Sequence, residues 1–226
     1  MHFGFAFRCP ICRSRLKRFL PAGVPPRANA LCPVCGAVER HRLIWYVIRQ
    51  KRLLSPVPSR HQIRLLHVAP EDCLRDKFEN RVDVDYWSSS LDGNNTRVSF
   101  DITRPKIDDN FFDAILCSHV LEHVIDDRLA IRSFYRILKP NGWAILQIPI
   151  DMTRDTTYED WAIETPEGRE IAFGQYDHVR IYGRDYLQRL TDAGFKAEII
   201  YSGHLPGRGT RRFGFDDTEP VFFCMK

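Results

Sequence analysis

The sequence predicts an α/β fold, a sheet of parallel strands covered by helices on both faces, with a small metal-binding module in front of it. Two observations predict this. From residue 63 onward, apolar runs of strand length alternate with helix-periodic segments, the pattern of strand–helix–strand units. Ahead of them stand two Cys-x-x-Cys knuckles, Cys9-Pro10-Ile11-Cys12 and Cys32-Pro33-Val34-Cys35.

Nineteen residues separate the knuckles, a spacing that matches a four-thiolate zinc site. Zinc is the expected ion, because four thiolates complete its tetrahedron and leave no open position. Iron and disulfides are the other readings of the same spacing. Gly36 follows the last ligand, where a tight turn lets backbone N–H groups face the sulfurs. A closed site is structural, so Cys9, Cys12, Cys32 and Cys35 hold the module together and any chemistry lies elsewhere.

At 226 residues the chain accommodates one good-sized domain and a small module. No apolar run approaches the ~20 residues of a membrane span, and residues 1–8 do not form a signal peptide. No membrane partner is therefore expected. Cys73, Cys117 and Cys224 are scattered, and reduced thiols beside a thiolate metal site fit a cytoplasmic protein. The charge is uneven: residues 1–64 carry thirteen Lys/Arg against Glu39 alone, while the rest carry twenty Lys/Arg and twenty-eight acids. A basic module on an acidic body points to an anionic partner, RNA or a phosphorylated substrate. The alternative is that a module with little core needs a polar surface of some kind.

The elements follow in order. Residues 1–38 form the ribbon. Residues 39–54 read as an amphipathic helix through Leu43, Ile44, Val47 and Ile48, and the Pro-containing residues 55–59 as a linker. This divides the chain into a module (1–38), a helix and linker (39–60) and an α/β domain (61–226). Strands are expected at 63–69, 86–91, 98–100, 114–117, 143–148, 197–201 and 220–225, with helices at 71–78, 126–138 and 184–193. Asp126 and Asp127 suit the positive end of their helix. Residues 152–170, charged and containing Tyr158 and Trp161, read as a mobile lid, and residues 203–217 as a solvated connection or a phosphate-contacting loop.

The run Phe111-Phe112-Asp113-Ala114-Ile115-Leu116-Cys117-Ser118-His119-Val120-Leu121-Glu122-His123-Val124 is distinctive, as is Arg136-Ile137-Leu138-Lys139-Pro140-Asn141-Gly142-Trp143. Together they resemble the fourth strand, following helix and fifth strand of class I S-adenosylmethionine-dependent methyltransferases, over residues 63–226. More closely, the chain is similar to type 11-like methyltransferases with an N-terminal cysteine ribbon. Those share runs such as Glu39-Arg40-His41-Arg42, Leu66-His67-Val68-Ala69-Pro70-Glu71 and Phe173-Gly174-Gln175-Tyr176-Asp177-His178-Val179-Arg180. The resemblance implies a Rossmann-like sheet of seven strands, parallel except for one antiparallel strand near the C-terminus.

It also implies a cofactor, S-adenosylmethionine, beyond the carboxyl ends of the first four strands. By position Ala69 and Glu71 approach its methionine part, Ser90 and Asp92 its ribose, Asp101 and Ile102 its adenine. Cys117, Ser118 and His119 form the floor beside the methyl group. Two departures stand out: His67 occupies the family's acidic position, and the loop after it, Ala69-Pro70-Glu71, has no glycine. Ser90 stands where the ribose acid is usual, leaving Asp92 to substitute.

His119-Val120-Leu121-Glu122-His123 also matches an H-x-x-E-H zinc-peptidase pattern, which needs both histidines on one face of a helix. A structural reading has Glu122 and His123 bracing a loop. His178 is a candidate general base and Arg180 a clamp for an anionic substrate, or both belong to a network holding the lid. The expected activity is methyl transfer from S-adenosylmethionine, with the ribbon aiding recognition of the acceptor. Similarity to ribbon-bearing enzymes that modify RNA makes RNA one expected acceptor, beside a protein or a charged metabolite. The alternative is a non-catalytic binding protein on a degenerate methyltransferase-like scaffold.

Overall fold

The computed structural model describes residues 2–55, 62–205, 210–216 and 218–226. Most of the expected linker at 55–59 and the Gly207-Arg208-Gly209 run lie outside them. The chain divides into two compact units, one of residues 1–63, 71–85 and 199–221, the other of 64–70, 86–198 and 222–226.

In the first unit, β1 (Phe3–Arg8) pairs antiparallel with β2 (Arg15–Leu16), and the first knuckle lies between them. β3 (Leu20–Ala22) pairs antiparallel with β4 (Arg27–Leu31), and the second knuckle follows. Both knuckles close the same way. Arg13 N–H donates to the Cys9 carbonyl at 2.9 Å and Gly36 N–H to the Cys32 carbonyl at 3.0 Å. Each donor is left-handed, with φ of +65° at Arg13 and +70° at Gly36. Glycine meets that requirement without strain; arginine does so against the steric cost of its Cβ.

Helix α1 (Glu39–Gln50) follows and ends four residues before the expected boundary, residues 51–54 being a turn with Arg52 at φ +53°. It buries Leu43, Ile44, Val47 and Ile48 as the periodicity requires, but also Arg42, which is 0% exposed. The Arg42 guanidinium donates to the carbonyls of Asn29, Ala30, Ala37, Phe213 and Gly214 and lies 3.9 Å from the centroid of the Phe19 ring. One side chain thereby ties β4, the second knuckle and residues 213–214 to α1. A planar fork of donors permits this; a lysine ammonium does not. Helix α2 (Asp72–Glu79) belongs to this unit too, and its Phe78 meets Trp45 edge to face.

The large sheet consists of β5 (Ile63–Val68), β6 (Val84–Ser90), β7 (Val98–Ser99), β8 (Phe112–Ser118), β9 (Leu138–Gln147), β10 (Lys196–Ile200) and β11 (Val221–Met225). Their spatial order is β10-β11-β9-β8-β5-β6-β7. β8 is parallel to β5 and β9, β7 is parallel to β6, and β11 runs antiparallel to β9. This is the expected seven-stranded, mostly parallel Rossmann-like sheet. The central strands are near-continuous apolar runs, with Ala114–Cys117 and Ala144–Leu146 fully buried, as strands covered on both faces must be.

The chain leaves β5 toward β6 and β7, then returns to β8 on the other side, so strand order reverses between β5 and β8. Ligands bind beyond the carboxyl ends at such a reversal.

Besides α1, three elements differ from expectation. The fifth strand starts at Leu138, not 143, because Leu138 already pairs with Phe112. Residues 139–142 then form an insertion before Trp143 pairs with Ala114, with Asn141 at φ +61°. The expected lid segment runs into helix α4 (Pro166–Phe173), capped by the Thr165 hydroxyl accepting from Gly168 N–H and ended by left-handed Gly174. Helix α3 (Asp127–Ile137) is capped by the Asp126 carboxylate at 2.8 Å from Leu129 N, but Asp127 is buried in an ion-pair network instead of simply facing the helix dipole. Helix α5 (Tyr186–Asp192) is the last. Among the described residues no helix is long and apolar enough to cross a membrane.

Candidate functional site

The register Val68↔Cys117 sets Ala69 level with Ser118 at the reversal, and Ala69 N–H donates to the Ser89 carbonyl at 2.7 Å. Ala69 adopts φ +46°, the backbone state for which the family's loop uses glycine. The glycine-free loop therefore makes the left-handed turn with alanine, the side chain that adds least bulk. We expect Ala69→Gly to be neutral or slightly stabilising in urea denaturation. Ala69→Val should cost about 1–2 kcal/mol, since a β-branched residue is poorly tolerated at positive φ.

Ser89 Oγ and Ser118 Oγ, at the ends of β6 and β8, are buried and have no hydrogen-bond partner among the described residues. Such hydroxyls at a crevice fit a polar ligand. Beyond β6, the Asp92 carboxylate accepts from Ser90 Oγ at 2.8 Å and from Asn94 N and Nδ2. These bonds, Ser90's foremost, hold its pKa below the ordinary value. Asp101 accepts from Thr103 N and Oγ1, both at 2.8 Å, and Ile102 beside it is buried. Cys117 is enclosed within the sheet. His67 is also fully buried, its Nδ1 3.1 Å from the Tyr86 hydroxyl. Glu71 lies in the first unit, 3.3 Å from His41 Nε2. Ser89 carried no signal in the sequence beyond its place in a run of three serines.

A second constellation lies just past β8. His119 is left-handed at φ +53°, and Leu121–His123 is a single 3-10 turn. The zinc-peptidase arrangement is therefore not formed, since no α-helix carries the two histidines. Instead residues 177–180 dock on this turn. Val179 N–H donates to the Glu122 carbonyl at 2.9 Å, which sets His178 beside His123 with ring centroids 4.8 Å apart. His123 Nδ1 lies 3.2 Å from an Asp177 carboxylate oxygen, and His119 Nδ1 3.5 Å from Glu122 Oε1. Burial, and then the neighbouring His123, pushes the His178 imidazole below its ordinary pKa.

Arg180 is not presented to a substrate. It is 1% exposed and donates to the carbonyls of Leu121 and Ile125 at 2.7 and 2.8 Å, and to that of Val124. Its Nε meets Glu159 at 2.7 Å. Arg189 bridges Glu159 and Asp127 at 2.8 Å each, and Asp127 accepts from the Tyr182 hydroxyl at 2.8 Å. Arg180 therefore positions the turn that carries Glu122 and His123. Nothing local in the chain marks Glu159 or Arg189, whose partners Arg180 and Asp127 are distant in sequence.

In the ribbon, Cys9 Sγ and Cys35 Sγ are 3.7 Å apart and Cys12 Sγ and Cys32 Sγ 3.8 Å, with all four within 4.8 Å of one another. Sulfurs of a zinc tetrahedron with bonds of about 2.3 Å stand about 3.8 Å apart, so the residues fit the ion. Exposed Phe3 and Phe5 lie edge to face on β1, with the Arg15 guanidinium 5.5 Å from the Phe5 ring centroid. In the same unit a cavity of about 340 Å³ is lined by Phe7, Arg211 and Phe215 and by the carboxylates Glu39 and Asp216, with Arg27 ion-paired to Glu39 at 3.1 Å.

The sequence matches the methyltransferase domain family over residues 40–198, and the chain belongs to that family. Among solved structures, a SAM-dependent methyltransferase from Archaeoglobus fulgidus is similar at 12% identity and a TM-score of 0.53, over 81% of this chain and 93% of that one. An S-adenosylmethionine-dependent methyltransferase from Mesorhizobium loti is similar at 16% identity and a TM-score of 0.50, over 80% and 97%. The CurJ carbon methyltransferase gives 12% and 0.51, over 81% of this chain and 52%, about half, of that one. At these identities the likeness is one of fold. No curated protein matches the sequence.

Proposed function

We propose that the protein transfers a methyl group from S-adenosylmethionine to an RNA acceptor, with a zinc-loaded ribbon recognising the RNA. The observation that carries the methyl-transfer reading is the crevice at the strand-order reversal, where Ala69 makes the glycine-like turn level with Ser118. Bound there, the cofactor supplies an electrophilic methyl group on a sulfonium. Asp92 and Asp101 offer carboxylate oxygens to ribose hydroxyls and to an exocyclic amine, and Ile102 offers an apolar face. Ser89 and Ser118 offer hydroxyls that have no other partner among the described residues.

His119 and His178 lie on the acceptor side, past the end of β8. Displacement at a sulfonium methyl needs above all an aligned nucleophile, so these imidazoles orient the acceptor and take its proton where it has one to lose. His178, whose pKa is lowered by burial and then by His123, is suited to that. Arg180 acts through the turn it fixes.

RNA is supported by the excess of cations in residues 1–64 and by the Phe3–Phe5 pair flanked by Arg15, since exposed aromatics among cations stack bases. Cys73, Cys117 and Cys224 form no disulfide, which suits a reducing compartment such as the cytoplasm.

Calorimetry with S-adenosylmethionine tests the cofactor assignment. Binding is expected, and Asp101→Ala should weaken it about tenfold, or ~1.4 kcal/mol. No heat at millimolar cofactor would leave the non-catalytic scaffold as the reading. Transfer of a labelled methyl group to total RNA, abolished by nuclease treatment of that RNA, tests the acceptor.

A further inference from the structure

We propose that Glu122, His123 and His178 form a second metal site, binding one divalent first-row transition ion with open coordination positions. Their ligand atoms all lie within 4.8 Å of one another. The donor set, two imidazoles and one carboxylate, suits zinc or another ion of that row and differs in kind from the thiolate cage of the ribbon. Three protein ligands leave room for water or an acceptor atom, whereas four thiolates leave none.

The surroundings are those of a metal site. Outside the three ligands, Asp177 stands 3.2 Å from His123 Nδ1. A carboxylate on that nitrogen leaves Nε2 to bind metal, the usual outer partner of a ligating histidine. Glu122 is 1% exposed, so an ion beside its carboxylate would lie inside the protein and not in bulk water. His119 Nδ1 stands 3.5 Å from Glu122 Oε1, an outer contact to that ligand. The chain invests heavily in this geometry: the Val179–Glu122 backbone bond and the Arg180 bonds to carbonyls 121, 124 and 125 hold both halves of the site together.

Ligand atoms around a tetrahedral ion with bonds of about 2.1 Å stand about 3.4 Å apart. That contraction is within reach of side-chain rotation, His123 being 30% exposed. This assignment stands apart from the methyl-transfer reading. If both hold, His178 serves the acceptor through the ion and not as a free base.

Metal counting on the full chain decides it. Protein stripped with chelator, reloaded with excess zinc and desalted is analysed by mass spectrometry alongside His178→Ala, Glu122→Gln and Cys32→Ser. We expect one ion that is absent from His178→Ala and Glu122→Gln but retained by Cys32→Ser. Asp177→Asn should keep the ion with 10–100-fold weaker affinity in cobalt titration. His178 is partly exposed, so its alanine variant is expected to fold, which far-UV circular dichroism checks. A zinc content unchanged by His178→Ala overturns the proposal, as does a wild-type chain whose every ion is lost on Cys32→Ser.

Discussion

Cys32→Ser is expected to release the ribbon ion and unfold residues 2–38. The module has little else to hold it: its buried apolar side chains are few, chiefly Ile11, Leu16 and Phe19, each worth about 1.5–3 kcal/mol. A structural zinc contributes on the order of 10–16 kcal/mol of apparent binding energy. The damage should not stop at the knuckles. The Ala37 carbonyl accepts from Cys32 N–H at 2.8 Å and from Arg42 at 2.9 Å, and Arg42 also holds the Phe213 and Gly214 carbonyls. Loss of the second knuckle therefore loosens α1 and residues 213–214 as well. Hydrogen exchange should show residues 2–38 losing protection while β8 and β9 keep theirs, and cobalt-loaded protein should lose its thiolate charge-transfer absorption. Unchanged protection in residues 2–38 would contradict a metal-held ribbon.

The second large effect is at Arg180. Arg180→Ala leaves the carbonyls of Leu121, Val124 and Ile125 without their donor and deprives Glu159 of one of its two guanidinium partners. Removing one member of a buried charged network costs about 3–5 kcal/mol, which for a chain of this size is a fall in Tm of about 10 °C. Arg180→Lys should recover only part of it, because an ammonium cannot meet three carbonyls and a carboxylate in one plane. The turn at 121–125 should lose its geometry along with the stability, and with it the zinc that His178→Ala also removes. A loss below about 0.5 kcal/mol in denaturant titration would show that the network does not hold this turn.

Much of the fold was legible. The apolar runs located the central strands β5, β8 and β9, because strands covered on both faces must be largely apolar. β6, β7 and β10 are more polar and were placed by their alternation with the helices. Boundaries were read less well. Leu138 reads as the end of a helix, yet its pairing with Phe112 makes it the start of β9, and the Pro140-Asn141-Gly142 turn signal falls inside the strand and not ahead of it. Helix α4 did carry local signals, a Thr165-Pro166 start and a Gly174 stop, but its surrounding charge favoured a loop reading.

For the candidate site, the chain itself determined which residues could act: four cysteines at ribbon spacing, carboxylates after the second and third strands, and histidines after the fourth. Spacing and strand order are local or nearly local, so they survive in one dimension. Only the tertiary structure decided which of those residues meet. It drew His178 to Glu122 and His123 across more than fifty residues, buried Arg180 as the brace of their turn, and moved Glu71 to a partner in α1. The reason is physical: a buried charge takes whichever partner the packing brings within hydrogen-bond reach, and that distance is set by the folded chain and not by the number of residues between them.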